Sequence, residues 1–144
     1  METLARVARI LERSSGQLSL SHYRVLVMVA AGDGRASRLA GRLALGKPAI
    51  SAAVESLVLR GLLLRSDSDP DRRATQLGIT AKGREALTAS ETSMSTALEG
   101  LLQHATDAGA VLAAVRDLSL ALDRRQAVRE TKATTAALAA KPHS

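Results

Sequence analysis

The sequence predicts a mainly α protein with one small β-hairpin, an α+β arrangement. Three observations carry this. Apolar residues recur at spacings of three and four along most of the 144 residues, the period of helices with one buried face. A single stretch breaks that period: Leu62-Leu63-Leu64-Arg65, a polar turn from Ser66 to Arg73, then Thr75 to Ile79, which together read as two strands and their loop. Aromatic residues make up only 1% of the chain, with Tyr23 the sole example, so the core is built from Leu, Val, Ile and Ala.

Taken in order, residues 2–14 place Leu4, Val7, Ala8 and Leu11 on one helical stripe, which Gly16 ends. Ser19 or Ser21 is placed to cap a second helix through Ala30, with Tyr23, Leu26, Val27 and Ala30 on its inner side. Gly32-Asp33-Gly34 stops it, and Arg35-Ala36 forms a short extended link or a minimal strand. Ser37 caps a short helix with Leu39, Ala40 and Leu43 inward, and Ala44-Leu45-Gly46 makes a turn. Pro48 then lies in the first turn of another helix, where its missing N–H costs nothing. Ile50, Val54 and Leu57 bury one face of that helix, and Gly61 closes it. After the hairpin, Thr80 caps a long helix through about residue 104, with Leu87, Met94, Leu98 and Leu101 inward. Asp107 caps the last helix, striped by Val111, Val115, Leu118 and Leu122.

Residues 35–80 alone read as helix, turn, helix and hairpin, the order of a winged helix-turn-helix. The stripes of residues 2–14 and 85–127 exceed what so small a lobe can cover, which predicts a helical dimerisation region and a homodimer. We therefore expect one domain over 1–127, followed by an Ala/Thr-rich tail, 128–144, that is a frayed helical extension or disordered.

Composition narrows the function. The chain has no Cys, which excludes disulfides and thiolate metal sites, and His22, His104 and His143 share no ligand spacing, so no metal is expected. No segment has the apolar length of a membrane span, and the charged opening METLARVARILER is unlike a signal peptide. A cytoplasmic address without membrane association is expected. No nucleophile–base pair, phosphate loop or dinucleotide fingerprint is present, so neither enzymatic activity nor a cofactor is expected. Lack of aromatic stacking platforms argues against readers of single strands.

Charge points to a polyanion. Residues 35–84 hold ten basic residues against four acidic ones, a net +6, whereas residues 1–34 carry +1 and residues 85–144 carry −1. The entire excess of the chain lies in the predicted helix-turn-helix and hairpin, the electrostatic footprint of a partner with regular negative charge.

The segments LSLSHYRVLVMVA (18–30), SRLAGRLALGKPAISAAVESLVLRGLLLR (37–65) and DPDRRATQLGITAKGREAL (69–87), in this order and spacing, resemble the MarR family of transcription regulators over roughly residues 3–125. The resemblance implies a sequence-specific regulator of double-stranded DNA, a homodimer on a pseudo-palindromic operator, usually a repressor, and often released by a small-molecule effector. An effector-independent or activating regulator is the nearest alternative. A winged helix used for protein interaction is the more distant one, and the basic wing argues against it.

The helix 47–60 is then the reading element. Lys47, Ser51 and Glu55 fall at i, i+4 and i+8 on its outward face, with Ala52 alongside. Ser can donate to or accept from base edges, Glu can accept from cytosine N4, and Lys47 with Pro48 at the helix start suits phosphate. Ser37 and Arg38 on the shorter helix are further backbone candidates. Many family members have Arg at the positions of Ala52 and Ser56 and a Ser cap where Gly46 stands, departures that bear on the grip on DNA. Asp71, Arg72 and Arg73 match the family's wing signature, which implies an Arg in the minor groove. We assign Arg73 to that role and Arg72 to phosphate, roles the two can exchange. His22 and Tyr23, near where family effectors bind, are the only candidate ligand residues, and a partly exposed His and a core Tyr explain them more readily.

Overall fold

The computed structural model describes residues 1–35, 39, 41, 43, 46–66 and 76–139; for Ser66 and for residues 130, 133, 134 and 136–139 it describes the backbone alone. Contacts divide the chain into two units, residues 1–100 and 101–144.

The first unit opens with α1 (Glu2–Ser14), none of whose residues is buried. Next comes α2 (Leu20–Ala30), where Ser19 Oγ accepts from the His22 amide at 3.1 Å and so settles which serine caps the helix. Between the two, Ser15 is fully buried, and its hydroxyl lies 2.7 Å from the Glu12 carbonyl and donates to that of Leu18. The Glu12 carboxylate receives the Leu20 amide at 3.1 Å, satisfying a free N–H at the start of α2. Leu39, Gly41 and Leu43 are helical, and both leucines are buried. The Arg24 guanidinium donates to the Leu43 carbonyl at 3.0 Å and ties that segment to α2.

The helix α3 (Lys47–Leu59) starts at Gly46 with Pro48 in its first turn. It ends in a Schellman arrangement: Gly61 has φ +70°, its amide meets the Val58 carbonyl at 2.9 Å, and the Leu62 amide meets that of Leu57 at 2.9 Å. Only glycine adopts that backbone without strain, and it turns the chain straight into β1 (Leu63–Ser66). This strand pairs antiparallel with β2 (Gln76–Ile79), Leu63 opposite Ile79 and Arg65 opposite Leu77. Arg35 bridges to Gln76, the minimal strand anticipated after α2.

The long helix α4 (Ala81–Leu102) follows, capped by Thr80, whose Oγ1 accepts from the Gly83 amide at 2.9 Å. The core is aliphatic as expected, with Val25, Leu26, Leu39 and Leu57 fully buried at its centre and Ile50, Val54, Leu62, Leu63 and Leu77 around them. Two inward faces differ from expectation. On α2 the buried residues are Val25, Leu26 and Val29, while Ala30 is exposed, because both α3 and β2 pack on this helix and spread its buried surface. On α4, Leu87 and Met94 are buried, but Leu98 is half-buried and Leu101 exposed, since the helix outruns the core of the first unit.

The second unit is dominated by α5 (Ala108–Ala139), capped by Asp107 Oδ1 at 2.9 Å from the Ala110 amide. It stays helical through the Ala/Thr-rich segment to Ala139. Its stripe of Val111, Val115, Leu118 and Leu122 is exposed, Leu118 at 51% and Leu122 at 50%.

The start of α4 depends on a missing side chain. A Cβ on Gly83 would strike the Leu62 carbonyl oxygen and lie 2.9 Å from Ile79 Cγ1. Backbone cannot step aside as a flexible side chain does, so Gly83→Ala is expected to lose about 1–3 kcal/mol despite Ala's better helix propensity. Thermal unfolding checks this, with a midpoint lower by several degrees; Gly100→Ala, which meets nothing within 4 Å on the same helix, is the control and is expected to keep or raise the midpoint.

Candidate nucleic-acid interface

The helix α3 divides cleanly into two faces. Ile50, Ala53, Val54 and Leu57 face the core, and Lys47, Pro48, Ala49, Ser51, Ala52 and Glu55 face outward. From Lys47 to Glu55 the outward row spans about 12 Å at the helical rise, the width of a major groove. Gly46 contributes no side-chain cap, so the first amides of the helix stay open to an acceptor such as a phosphate oxygen. Among the described residues, neither the Lys47 nor the Glu55 side chain has a hydrogen-bond or ion-pair partner. Of the sequence-derived candidates, Lys47, Pro48, Ser51, Ala52 and Glu55 thus share one exposed face. Ser37, Arg38, Asp71, Arg72 and Arg73 lie outside the described residues.

The C-terminal end of α3 is held from two sides. Thr80 Oγ1 donates to the Gly61 carbonyl at 2.7 Å, and the Thr80 amide to that of Leu62 at 3.2 Å. Lys82 Nζ donates to the Arg60 carbonyl at 3.0 Å. On the other side the Arg60 guanidinium donates to the Gln17 carbonyl at 3.0 Å in the turn between α1 and α2. The hydroxyl of Ser90 on α4 donates to the Ser15 carbonyl in that same turn at 2.8 Å, a buried bond. These residues fix the orientation of α3. In the sequence Arg60 and Lys82 stand out only as two of the ten basic residues of 35–84; the signal for their positioning role is the Arg-Gly-Leu end of one helix followed by the Thr-Ala-Lys-Gly start of another.

The same junction encloses a cleft of about 510 Å³, lined among others by Gln17, Arg60, Leu62, Lys82, Glu85 and Ser93. His22 and Tyr23 are not among its lining residues. Tyr23 packs against the core, and its hydroxyl donates to Glu91 Oε1 at 3.5 Å; burial first, then the Glu91 charge, raises its pKa. His22 is pushed below its ordinary 6.5 by burial and by Arg60, against an opposing pull from Glu12. Among the described residues no group of three or more His, Asp or Glu could hold a metal ion, and no helix is long and apolar enough to cross a membrane.

The family model of a winged helix DNA-binding domain matches residues 18–83, which span α2, α3, the hairpin and the start of α4. A MarR family transcriptional regulator from Rhodococcus sp. RHA1 is similar in structure at 23% identity and TM-score 0.69, over 81% of this chain and 84% of that one. The transcriptional repressor CouR bound to a 23-mer DNA duplex is similar at 27% identity and TM-score 0.65, over 94% of this chain and 87% of that one. CouR from Rhodococcus jostii RHA1 bound to p-coumaroyl-CoA is similar at 23% identity and TM-score 0.63, over 81% and 83%. No curated protein matches the chain in sequence. Fold and matched domain define a winged helix DNA-binding domain over residues 18–83. More particularly, the chain has the fold of the MarR family transcriptional regulators that it is similar to.

The lowered pKa of His22 sets a pH dependence. Its neutral form favours the folded state, so that contribution is complete above about 6.5 and is lost as pH falls through the lower folded value. His22→Gln is expected to reduce the drop in thermal midpoint between pH 7.5 and pH 5. Equal drops in both proteins would show that His22 does not couple folding to protons.

Proposed function

We propose that the protein is a homodimeric repressor that binds a near-palindromic duplex operator and is released by a small-molecule effector. Ser51, Ala52 and Glu55 read base edges in the major groove. Lys47, Pro48 and the start of α3 grip the backbone, as do Ser37 and Arg38. Asp71 orients the wing, Arg73 enters the minor groove and Arg72 meets phosphate. The observation that carries this reading is the outward face of α3, polar or small-sided and exposed while the opposite face is locked into the core. A net +6 confined to residues 35–84 supports it.

The dimer rests on residues 2–14 and 85–127. Support comes from the apolar stripe of α5, half-exposed along its length, and from α1, which buries no residue in the single chain. The effector reading draws on the cleft beside Arg60 and Lys82 and on CouR, similar in fold and solved with p-coumaroyl-CoA. A ligand there would compete for the bonds that fix the end of α3. The domain is taken as residues 1–127, with 128–144 an appended tail.

Two experiments test the reading. Arg73→Ala is expected to weaken all operators, least where the flanks are not A·T-rich, and to lower the salt slope of binding by roughly one per subunit. Titration at several salt concentrations measures both; unchanged affinity and slope would reduce the wing to a solvated turn. Leu118→Asp places an unpaired charge in the proposed interface at a cost of several kcal/mol and is expected to yield monomer in sedimentation. A dimer of unchanged stability would remove α5 from the interface.

A further inference from the structure

The outward face of α3 is unusual for a surface that meets DNA. It carries one cation, Lys47, at its start and a carboxylate, Glu55, two turns further on. Duplex DNA presents a negative charge about every 1.7 Å of its axis, so a bare carboxylate there opposes binding to any sequence. Nothing on the helix neutralises it: Ser51 and Leu59 stand four residues to either side, Ala52 stands three before it, and the Glu55 side chain has no ion-pair partner among the described residues.

An ionised carboxylate only accepts hydrogen bonds. In the major groove guanine offers N7 and O6 and thymine offers O4, all acceptors that repel it. Adenine pairs its N6 donor with an adjacent N7 acceptor. Cytosine alone presents an N4 donor with no acceptor on its own major-groove edge, the nearest being O6 of its paired guanine. Ala52, one turn before Glu55, is short and apolar, so it competes for no polar base atom.

We infer that Glu55 is the specificity-determining residue of α3, selecting a cytosine in each half-site and penalising every other duplex. This rests on α3 being the DNA-reading helix and adds what it reads. The carboxylate costs affinity on all DNA, and only the cytosine N4 amino group returns it. Discrimination thus arises as much from rejecting wrong sites as from holding the right one.

The test uses the full-length protein and its glutamine and alanine variants. Duplexes selected by the wild type are varied through all four bases at each half-site position, alongside an unrelated duplex. Glu55 is exposed, so both variants are expected to keep the wild-type melting temperature. The wild type is expected to lose about tenfold or more when one cytosine position is changed. Glu55→Ala should lose that preference at the same position alone while binding the unrelated duplex more tightly. Glu55→Gln, which can both donate and accept, should shift the preference there toward adenine. An unchanged base preference in both variants, or weaker binding to every duplex including the unrelated one, would overturn the inference while leaving α3 as the reading helix. A wild type that binds no duplex would overturn the reading beneath it as well.

Discussion

The end of α3 is the constraint on which the rest depends. A helix that presents one face to a partner must be held by its other face and by its ends, and here the C-terminal end is held most closely. Gly61 turns the chain out of the helix, Thr80 and Lys82 from the next helix occupy the freed carbonyls of Arg60 and Gly61, and Arg60 reaches across to Gln17. Each bond is modest, about 0.5–1.5 kcal/mol net, but together they tie the end of α3 to the start of α4 and to the turn between α1 and α2, each closing on a backbone carbonyl. The absent Cβ of Gly83 lets α4 approach the Leu62 carbonyl closely enough for this.

That junction joins mechanics to chemistry. Arg60 and Lys82, which help hold the end of α3, also line the cleft, so occupancy of the cleft and orientation of α3 draw on the same donors. A ligand with a competing acceptor has a direct route to the end of α3 without a relay through the core. The aliphatic core suits this division. Leu26, Leu39 and Leu57 pack at its centre, leaving the polar bonds at the rim to set angles.

Much of the fold was legible in the sequence because its signals are local. Ser19, Thr80 and Asp107 act as caps, Pro48 lies in a first turn, and Gly61 closes a helix, each following from the chemistry of one residue and its next few neighbours. The outward row of α3 was legible for the same reason, since the burial of Ile50, Val54 and Leu57 dictates which residues point away. What periodicity could not supply was tertiary. The spread of the α2 core onto Val25 and Val29 depends on how many elements pack against that helix. The solvent exposure of Leu101 depends on where the first unit ends. The positioning roles of Arg60 and Lys82 arise between segments twenty or more residues apart, beyond any repeat of three or four.

The central claim is that α3 reads duplex DNA as one of a symmetric pair. Hydroxyl-radical footprinting of the wild-type protein on an operator selected from random duplexes tests it most directly. The account predicts two protected tracts related by the operator's dyad, centred roughly one helical turn or about 10 base pairs apart. A single asymmetric tract, protected by a protein that sediments as a monomer, would contradict it.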